Sequence, residues 1–370
     1  MKQKEFLEVW MNNCRVGTLA LTSDHLAAFE YSGEWLENGF SISPLSLPLR
    51  SGLFLPKSYE PFEGLFGVFA DSLPDGWGRL LLDRVLRERG IDPNSLNVLS
   101  RLAIVGNSGM GALEYRPSEE LKTSMKEADL DELAAAVQKV FEEKDSKDLD
   151  LLFKLGGSSG GARPKVNLQI DDGEWIVKFP AHTDRKDVGK MEYEYMDCAG
   201  KCGLQIPEFR LLDSNVSPGY FAVKRFDRTE SGKIHMISAS GLLETSHRIP
   251  NLDYEHLFKL TSILCKDQEE LWKLYRLMCF NVFAHNRDDH SKNFSWLYQN
   301  GKWILSPAYD LTFSNSLFGE HATTINGNGK NPGLSDLLAI AEKFGLHKQK
   351  AKTEALQIQK MVQKELKKWL

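Results

Sequence analysis

The sequence predicts an α+β fold with two lobes, because a strand-rich part of the chain is followed by a helix-rich part. Strand-like segments continue to about Asp227. Helical periodicity dominates from about Tyr254 to Asn286 and again from Leu334 to the end. Polar motifs stand at the junctions between these segments, which completes the two-lobed layout.

Size and composition are those of a soluble globular protein. The 370 residues suffice for two domains or one large bilobal domain, and the net charge of −5 gives no sign of a protein that coats nucleic acid. The five cysteines are scattered and include no CxxC pair. Cys198 and Cys202 have the spacing of one zinc-ligand pair, but no second pair completes it, so buried thiols in a reducing compartment are predicted.

The ends of the chain also favour a cytoplasmic protein without a membrane segment. The first ten residues lack the apolar run of a signal peptide, and no stretch approaches the apolar length of a membrane span. The basic C-terminal segment is predicted to be the solvated face of a last amphipathic helix. Its lysines are Lys348, Lys350, Lys352, Lys360, Lys364, Lys367 and Lys368.

The first 120 residues are predicted to form a strand-rich subdomain. Alternating apolar residues on both sides of Asn12-Asn13 predict a β-hairpin. Residues 73–90 combine a Pro-Asp-Gly turn with an amphipathic helix that closes on Gly90, and residues 105–117 are glycine-rich and then strand-like.

The middle of the chain is predicted to be a second, strand-rich domain over residues 121–228. Residues 118–150 are charged, contain the helical run DELAAAVQKVFEE, and are the best candidate for a connecting segment. One helix, ending at Gly203, interrupts the strands. The predicted strands are LLFKLGGSS, KVNLQI, EWIVKFP, FRLLD and YFAVKRF. Residues 229–370 then form the helical third part.

The strongest chemical signal is the polar segment of residues 285–293, HNRDDHSKN, which follows an apolar helix. Phosphoryl transfer needs an Asp that orients the attacking hydroxyl and an Asn on the same loop that binds Mg²⁺. Asp288 and Asn293 match the spacing D-x-x-x-x-N. The alternative for this motif alone is a polar loop that caps a helix.

A second metal carboxylate is predicted at Asp310, in the segment SPAYDL that follows a strand-like run. Asp310 comes seventeen residues after Asn293, and the two side chains would supply the hard oxygen ligands that Mg²⁺ prefers. An Asp that forms a turn after a strand is the alternative.

Two further motifs indicate phosphate binding. The segment of residues 155–165, LGGSSGGARPK, carries four glycines that let backbone N–H groups face an anion. Its predicted order of strand, glycine-rich turn and strand suits a phosphate lid, and a flexible hairpin turn is the alternative. Lys178 lies inside an apolar strand and is predicted to bind α/β-phosphates, paired with Glu192 or Glu194 on the next helix. An exposed Lys on an edge strand is the alternative.

The segment FAVKRFDR, residues 221–228, lies where strands give way to helices. A segment of this kind, between two lobes, is a hinge that can offer backbone groups to adenine and the Asp227 carboxylate to the ribose. An ordinary strand end with charge pairs is the alternative. The order of all these parts, glycine loop, strand Lys, helix Glu, hinge, Asp/Asn loop and metal Asp, predicts an ATP- and Mg²⁺-dependent kinase that phosphorylates Ser or Thr on another protein.

With these motifs the chain resembles the HipA family of bacterial Ser/Thr kinases, the toxins of toxin–antitoxin pairs. NRDDHSKNFS is similar to the family's catalytic loop, SPAYDL to its metal-binding segment, VKRFDR to its hinge and EWIVKFP to its ATP-lysine strand. VGNSGMGALEYRP, LPDGWGRLLLDR and the late ING region are similar to other family segments. The resemblance covers nearly the whole chain and implies a bilobal protein-kinase-like fold.

The resemblance also implies roles for single residues. Asp288 would be the catalytic Asp, Asn293 and Asp310 the Mg²⁺ ligands, and Glu192 the ion-pair partner of the ATP lysine. The ATP-binding set would be Lys178, Ser159, Gly160, Gly161, Arg225, Phe226, Asp227 and His290. Family members phosphorylate a Ser of their own glycine-rich loop, which ejects the loop and silences the kinase, and Ser158 matches that position with Ser159 adjacent.

The partners that the resemblance implies are a HipB-like helix-turn-helix antitoxin, DNA only through that antitoxin, and a protein substrate of the aminoacyl-tRNA synthetase class. The chain departs from the family pattern at Arg163, where a Gln is common, at Gly160, and at Asp289, where a Gly is common.

Two alternative functions remain open at this point. A metal-dependent hydrolase could use His285, Asp288, Asp289 and His290, which are suitable ligands for Zn²⁺ or Mn²⁺. A catalytically silent pseudokinase could act in repression together with a DNA-binding partner.

Overall fold

The computed structural model describes residues 3–119, 129–142, 149–157, 160–171, 173–316 and 319–370. Within that part of the chain, no helix is long and apolar enough to span a membrane. The chain divides into two compact units. The first, strand-rich unit comprises residues 1–189, 211–237 and 241–245, and the second, helical unit comprises residues 190–210, 238–240 and 246–370.

The first unit begins with a five-stranded antiparallel sheet of strand order β4-β3-β2-β1-β5. Asn12 and Asn13 both adopt positive φ, 46° and 66°, which is the turn geometry that closes the predicted β1–β2 hairpin. Four helices follow or interrupt these strands. The strands are β1 (Phe6–Met11), β2 (Cys14–Leu21), β3 (Ala27–Tyr31), β4 (Leu53–Phe54) and β5 (Leu113–Arg116). The helices are α1 (Gly33–Asn38), α2 (Gly67–Ala70), α3 (Gly76–Glu88) and α4 (Val98–Val105).

The same unit contains a second sheet of four strands in the order β6-β7-β9-β8. Lys165 pairs with Lys178 across the antiparallel β6–β7 hairpin. The elements are helices α5 (Leu130–Phe141) and α6 (Leu149–Gly156), and strands β6 (Lys165–Ile170), β7 (Gly173–Lys178), β8 (Phe209–Leu212) and β9 (Tyr220–Lys224). Three short strands follow, β10 (Arg228–Thr229), β11 (Gly232–Lys233) and β12 (His235–Ser238).

One prediction for this region was wrong. The run LLFKLG, predicted as a strand, is helix α6, with Leu149, Leu152 and Gly156 buried along one face. A short apolar run fits a buried strand and a buried helix equally well, and here packing against α3 and α5 decides for the helix. The glycine-rich loop therefore follows a helix and precedes a strand. Its serines, Ser158 and Ser159, lie outside the described residues.

One hydrophobic cluster joins the start of the chain to the second sheet. Its buried members come from α3, α5, α6, β6, β7 and β9 and include Trp77, Leu81, Val85, Val137, Val140, Leu152, Val166, Trp175, Val177, Tyr220 and Ala222. The division of the chain at residues 120 and 228 stays a prediction. The shared cluster means that removing residues 1–120 would expose the apolar face of the second sheet.

The second unit is mainly helical. Its elements are α7 (Val188–Lys201), α8 (Ala239–Leu243), β13 (Leu252–Asp253), α9 (Tyr254–Cys265), α10 (Gln268–Phe283), β14 (Ser295–Gln299), β15 (Lys302–Leu305), β16 (Thr323–Thr324), α11 (Leu334–Lys343) and α12 (Lys348–Glu365). The first two begin or end at residues of the strand-rich unit. The predicted helical stretch of residues 254–286 is interrupted once, where Lys266 adopts a φ of 52° and Asp267 caps the next helix.

The prediction for the basic C-terminal segment is confirmed, since α12 buries an apolar face and exposes its lysines.

The prediction of buried thiols is confirmed only in part. Cys198, Cys265 and Cys279 are buried, whereas Cys202 is half-buried and Cys14 is exposed.

Candidate active site

The segment of residues 285–293 begins where α10 ends. His285 takes a φ of 50°, which turns the chain out of the helix, and Asn286 is buried directly after it. The Asn286 N–H donates to the Asn281 carbonyl at 3.0 Å, and its side-chain amide donates to the Asn281 side chain at 3.0 Å. Asn281, a buried residue of α10, therefore fixes the start of the loop.

Asp288 and Asn293 close the loop upon itself. The Asn293 amide nitrogen donates to the Asp288 carbonyl oxygen at 2.7 Å, and the Asn293 N–H donates to the His290 carbonyl at 2.8 Å. His290 stands before the short 3₁₀ turn Ser291–Asn293, where its ring accepts from the Lys292 N–H at 3.3 Å. The Asp288 side chain is exposed and Asn293 is half-buried. The spacing D-x-x-x-x-N therefore corresponds to one small, hydrogen-bonded loop.

A β-hairpin returns the chain from this loop to the predicted metal segment. Strands β14 and β15 pair antiparallel through an Asn300-Gly301 turn with φ values of 53° and 76°. The Ser306 N–H then donates to the Ser295 carbonyl at 2.9 Å, which extends the pairing beyond the strands. The hairpin thus brings residue 306 back beside the end of the loop.

Tyr309 connects the two motifs directly. Its hydroxyl donates to the Lys292 carbonyl at 2.6 Å and lies 2.6 Å from the Ser295 hydroxyl. Since Lys292 precedes Asn293 and Tyr309 precedes Asp310, the structure brings the two predicted metal-ligand segments into contact. Asp310 is half-buried and adopts a φ of 57°, a conformation uncommon outside glycine, Asn and Asp.

Asp289 has a different role from its neighbour Asp288. It is 1% exposed, and its carboxylate lies 2.9 Å from the His321 ring, 3.3 Å from the Tyr254 hydroxyl and 3.2 Å from the Thr323 N–H. Tyr254 in turn accepts from the Asn281 amide at 2.9 Å. Burial, and then the Asp289 carboxylate, raise the pKa of Tyr254 well above its ordinary value. Asp289 is therefore the centre of a buried network that anchors the loop.

The residues of the hydrolase alternative do not form a metal cluster. Among the described residues, no group of three or more His, Cys, Asp and Glu side chains is placed to hold a metal ion. Of the proposed set, Asp289 has its carboxylate engaged by His321 and Thr323.

In the strand-rich unit, Lys178 is buried at the end of strand β7, and its role as the ATP lysine stays a prediction. The side chain ends strand β7 and is 8% exposed, and its ammonium nitrogen lies 5.6 Å from the centroid of the Phe221 ring. The Phe221 ring offers this buried ammonium group a favourable cation–π contact. The glutamates predicted to pair with Lys178 lie on α7, in the helical unit.

The two candidate glutamates on α7 differ in their surroundings. Glu194 accepts from the Lys368 ammonium group at 2.7 Å and from the Trp369 indole at 2.6 Å, which ties α7 to the end of the chain. Glu192 is buried, with 2% of its surface exposed. Glu192 therefore stays the predicted partner of the ATP lysine, and Glu194 does not.

Asp227 of the hinge is the centre of a buried set of ion pairs. Asp227 is 1% exposed, and one of its carboxylate oxygens accepts from Arg225, Arg228 and the Gly111 N–H at 2.8, 2.9 and 2.7 Å. Its other oxygen accepts from Arg225 at 3.0 Å. In this arrangement the carboxylate is engaged inside the protein, so the ribose contact stays a prediction that would require these bonds to be exchanged.

The same ion pairs connect the hinge to the loop of residues 107–111. Arg225 and Arg228 both donate to the Gly109 carbonyl, at 3.0 and 2.9 Å. Burial would raise the pKa of Asp227, but the two guanidinium groups outweigh it and lower that pKa below the ordinary value. Arg225 and Asp227 are therefore positioning residues for the hinge, while Phe226 lies between them in the chain.

Comparison with known proteins agrees with this architecture. Residues 7–116 match the family model described as the HipA N-terminal domain, and residues 157–368 match the model described as the HipA-like C-terminal domain. Among solved structures, the toxin–antitoxin complex of HipA, HipB and operator DNA from Shewanella oneidensis MR-1 is similar, with a TM-score of 0.71 and 18% identity. The match covers 98% of this chain and 90% of that chain.

Two relatives from Sinorhizobium fredii (strain NBRC 101917 / NGR234) are similar in sequence. One, named "Putative kinase Y4dM", is 26% identical over 339 residues, which is 84% of this chain and 78% of the relative. The other, named "Putative kinase Y4mE", is 27% identical over 347 residues, which is 82% of this chain and 76% of the relative.

The fold thus defines a mixed α/β protein with a strand-rich N-terminal region and a helical C-terminal region, as the sequence predicted. Because the C-terminal family model alone matches more than half of the residues, the chain belongs to the HipA family.

Proposed function

We propose that this protein is an ATP- and Mg²⁺-dependent kinase that phosphorylates Ser or Thr on another protein. The observation that carries the proposal is the arrangement around Tyr309, which joins the closed Asp288–Asn293 loop to the segment of Asp310. An exposed carboxylate and an amide on one fixed loop, with a second carboxylate on the adjoining segment, are the residue types that phosphoryl transfer requires.

The metal would be held by Asn293 and Asp310. The Asn293 amide nitrogen donates to Asp288, which leaves the amide oxygen as the atom suited to ligate a cation. An amide oxygen and a carboxylate are hard oxygen ligands that fit Mg²⁺. When bound, the ion would neutralise charge on the phosphate oxygens.

The remaining residues would bind ATP and orient the substrate. Asp288 would orient the attacking hydroxyl and accept its proton, and its exposure leaves it open to a protein substrate. Lys178 would neutralise the α/β-phosphates, and Glu192 would pair with it. Gly160 and Gly161, with Ser159, would face the phosphates, His290 would lie at the nucleotide, and the hinge backbone at Phe226 would face adenine.

Self-silencing is proposed for the glycine-rich loop. Phosphate on Ser158, or on the adjacent Ser159, would place a dianion where the ATP phosphates bind, and the two charges repel each other. This proposal follows from the family to which the chain belongs.

The biological role proposed is that of a toxin in the cytoplasm, held by a HipB-like helix-turn-helix antitoxin and reaching DNA only through it. A structure that matches this chain is a HipA, HipB and operator DNA complex, which supports that partner class. The protein substrate proposed is translation-related, of the aminoacyl-tRNA synthetase class.

The test is a phosphate-transfer assay with labelled ATP and Mg²⁺, comparing the native protein with Asp288→Asn. The proposal predicts label on Ser158 or Ser159 of the native protein, mapped by mass spectrometry, and none on the variant. Demonstrably unphosphorylated protein that neither takes up label nor binds ATP in calorimetry would contradict it. Metal-dependent hydrolysis without ATP would support the hydrolase alternative, and ATP binding without transfer would support the pseudokinase.

A further inference from the structure

The N-terminus of helix α3 contacts Gly161, in the described part of the glycine-rich loop. Asp75 occupies the N-cap position of α3, but its side chain makes no capping hydrogen bond to its own helix. Its carboxylate accepts the N–H of Gly161 instead. An N-cap Asp ordinarily satisfies a free amide of its own first turn, so this side chain is used for another purpose.

The contact is reciprocal. The Trp77 N–H, one of the free donors of the first helical turn, donates to the Gly161 carbonyl at 3.0 Å. Both polar groups of Gly161 are thus bound to residues 75 and 77. Gly76 permits this approach, because a Cβ atom there would lie 2.6 Å from the Gly161 carbonyl oxygen.

Trp77 keeps the helix end in place beside the loop. Its side chain is 1% exposed in the cluster that includes Val166 and Trp175, and its indole nitrogen donates to the Lys165 carbonyl at 3.2 Å. Lys165 in turn donates from its ammonium group to the Gly160 carbonyl at 2.7 Å. The backbone of residues 160–161 is therefore held from both sides, by α3 and by β6.

We propose that Asp75 is a positioning residue that fixes the glycine-rich loop in the conformation that receives the ATP phosphates. Glycine-rich backbone is otherwise free to adopt many conformations, and ordering it on binding would weaken the affinity for ATP. Asp75 removes part of that cost by ordering Gly161 before ATP binds. The inference rests on the proposed kinase function and adds to it a residue of the N-terminal region.

The test compares Asp75→Ala with Asp75→Asn in the full-length protein. Alanine removes the acceptor of the Gly161 N–H, and we expect KM for ATP to rise about tenfold, which corresponds to about 1.4 kcal/mol, with little change in kcat. Asparagine keeps a side-chain oxygen at the same reach, so its KM should stay within about threefold of the native value.

Asp129→Ala is the matched control. Asp129 is also an N-cap Asp of the strand-rich unit, but its carboxylate caps its own helix by accepting the Glu132 N–H at 2.7 Å. This variant should lose helix stability without a change in KM for ATP. A second readout does not depend on activity, since amide hydrogen exchange at Gly161 should become faster in Asp75→Ala and stay slow in Asp129→Ala.

Asp75→Ser covers the case in which Asp75→Ala does not fold. Serine is a good N-cap residue but its hydroxyl has a shorter reach, so α3 keeps a cap while Gly161 loses its acceptor. The inference is overturned if KM and exchange at Gly161 stay native in a folded Ala or Ser variant. It is also overturned if both the Ala and Asn variants bind ATP more tightly, because the carboxylate would then compete with phosphate. Absence of phosphate transfer in the native protein would instead count against the proposed function.

Discussion

The Tyr309 hydroxyl donates to the Lys292 carbonyl at 2.6 Å, and this bond joins the two segments that sequence motifs had marked separately. Ser295 completes the contact, with its hydroxyl 2.6 Å from that of Tyr309. Asn293 follows Lys292 directly and Asp310 follows Tyr309. The Tyr309 hydroxyl therefore adds to the β14–β15 hairpin a bond that fixes the relative placement of the proposed Mg²⁺ ligands.

Replacing Tyr309 by Phe should therefore weaken the proposed magnesium site. We expect the Mg²⁺ concentration at half-maximal phosphate transfer to rise, and stability to fall by about 1 kcal/mol from the lost hydrogen bond. Titration of activity with Mg²⁺ and urea denaturation measure the two effects. Tyr193→Phe is the control, a half-buried tyrosine of the same unit whose ring contacts Phe209. Equal magnesium dependence in both variants would contradict the role given to Tyr309.

Asp288 and Asp289 should respond in opposite ways to the same substitution. Asp288→Asn changes an exposed side chain, so we expect loss of phosphate transfer with stability within about 0.5 kcal/mol of native. Asp289→Asn changes a buried carboxylate bound to His321, Thr323 and Tyr254, and we expect about 2–3 kcal/mol of destabilisation. Each variant is the control for the other. Phosphate transfer and thermal unfolding are measured on both.

If Asp289→Asn were as stable as the native protein, the buried network would not anchor the loop. If Asp288→Asn kept full activity, Asp288 would not be the catalytic residue.

Asp227→Asn should lower the stability of the strand-rich unit, and its main effect should not be on ATP binding. The substitution removes the buried carboxylate that Arg225 and Arg228 share and leaves them the half-exposed Glu174, at 3.6 and 3.4 Å, as counter-charge. Breaking a buried ion pair costs about 3–5 kcal/mol, so we expect a loss toward the lower end of that range. Asp213→Asn, at an exposed aspartate of the same unit, should be neutral. Urea denaturation measures the loss, and calorimetry with ATP tests the alternative. Weaker ATP binding by a variant of native stability would instead support the predicted contact between Asp227 and the ribose.

Stability should fall in mild acid because of His235. Burial lowers the pKa of His235 from 6.5 to about 4, and its ring lies 2.8 Å from the Ile42 carbonyl oxygen. Between these values the unfolded chain binds a proton that the folded protein does not, so stability is complete above pH 6.5 and declines toward pH 4. The decline is at most roughly 3 kcal/mol.

Unfolding free energies measured by urea at several pH values test this assignment. His235→Gln should have a flatter profile over that range, whatever its absolute stability, while His182→Gln, at an exposed histidine, should keep the native slope. An unchanged slope in His235→Gln would assign the acid sensitivity to other groups.

The local elements were predictable where a side chain or a turn residue decides the backbone by itself. Asn12-Asn13 predicted the first hairpin, Gly90 the end of α3, and the lysine pattern the exposed face of α12. The helix α6 was mistaken for a strand, because the choice depends on which neighbours cover a short apolar run.

The roles of single polar residues were harder to predict. Asp227 was expected to face a ribose, yet the structure surrounds it with Arg225 and Arg228. The sequence motifs did not predict roles for Tyr309, His321 and Asp75. Tyr309 nevertheless lies inside the SPAYDL motif, and Asp75 lies inside the Pro-Asp-Gly turn. Their partners lie from 14 to 86 residues away, and no local spacing indicates such a contact.

The sequence by itself determined the family, the order of the motifs and the chemical types of the candidate site residues, because these depend on residue identity and local spacing. Tertiary structure alone decided which carboxylates are exposed and which are buried, since exposure depends on residues distant in the chain. Asp288 and Asp289 are neighbours of the same chemical type, but only Asp289 is enclosed by His321, Thr323 and Tyr254, and a buried carboxylate must be satisfied by such partners.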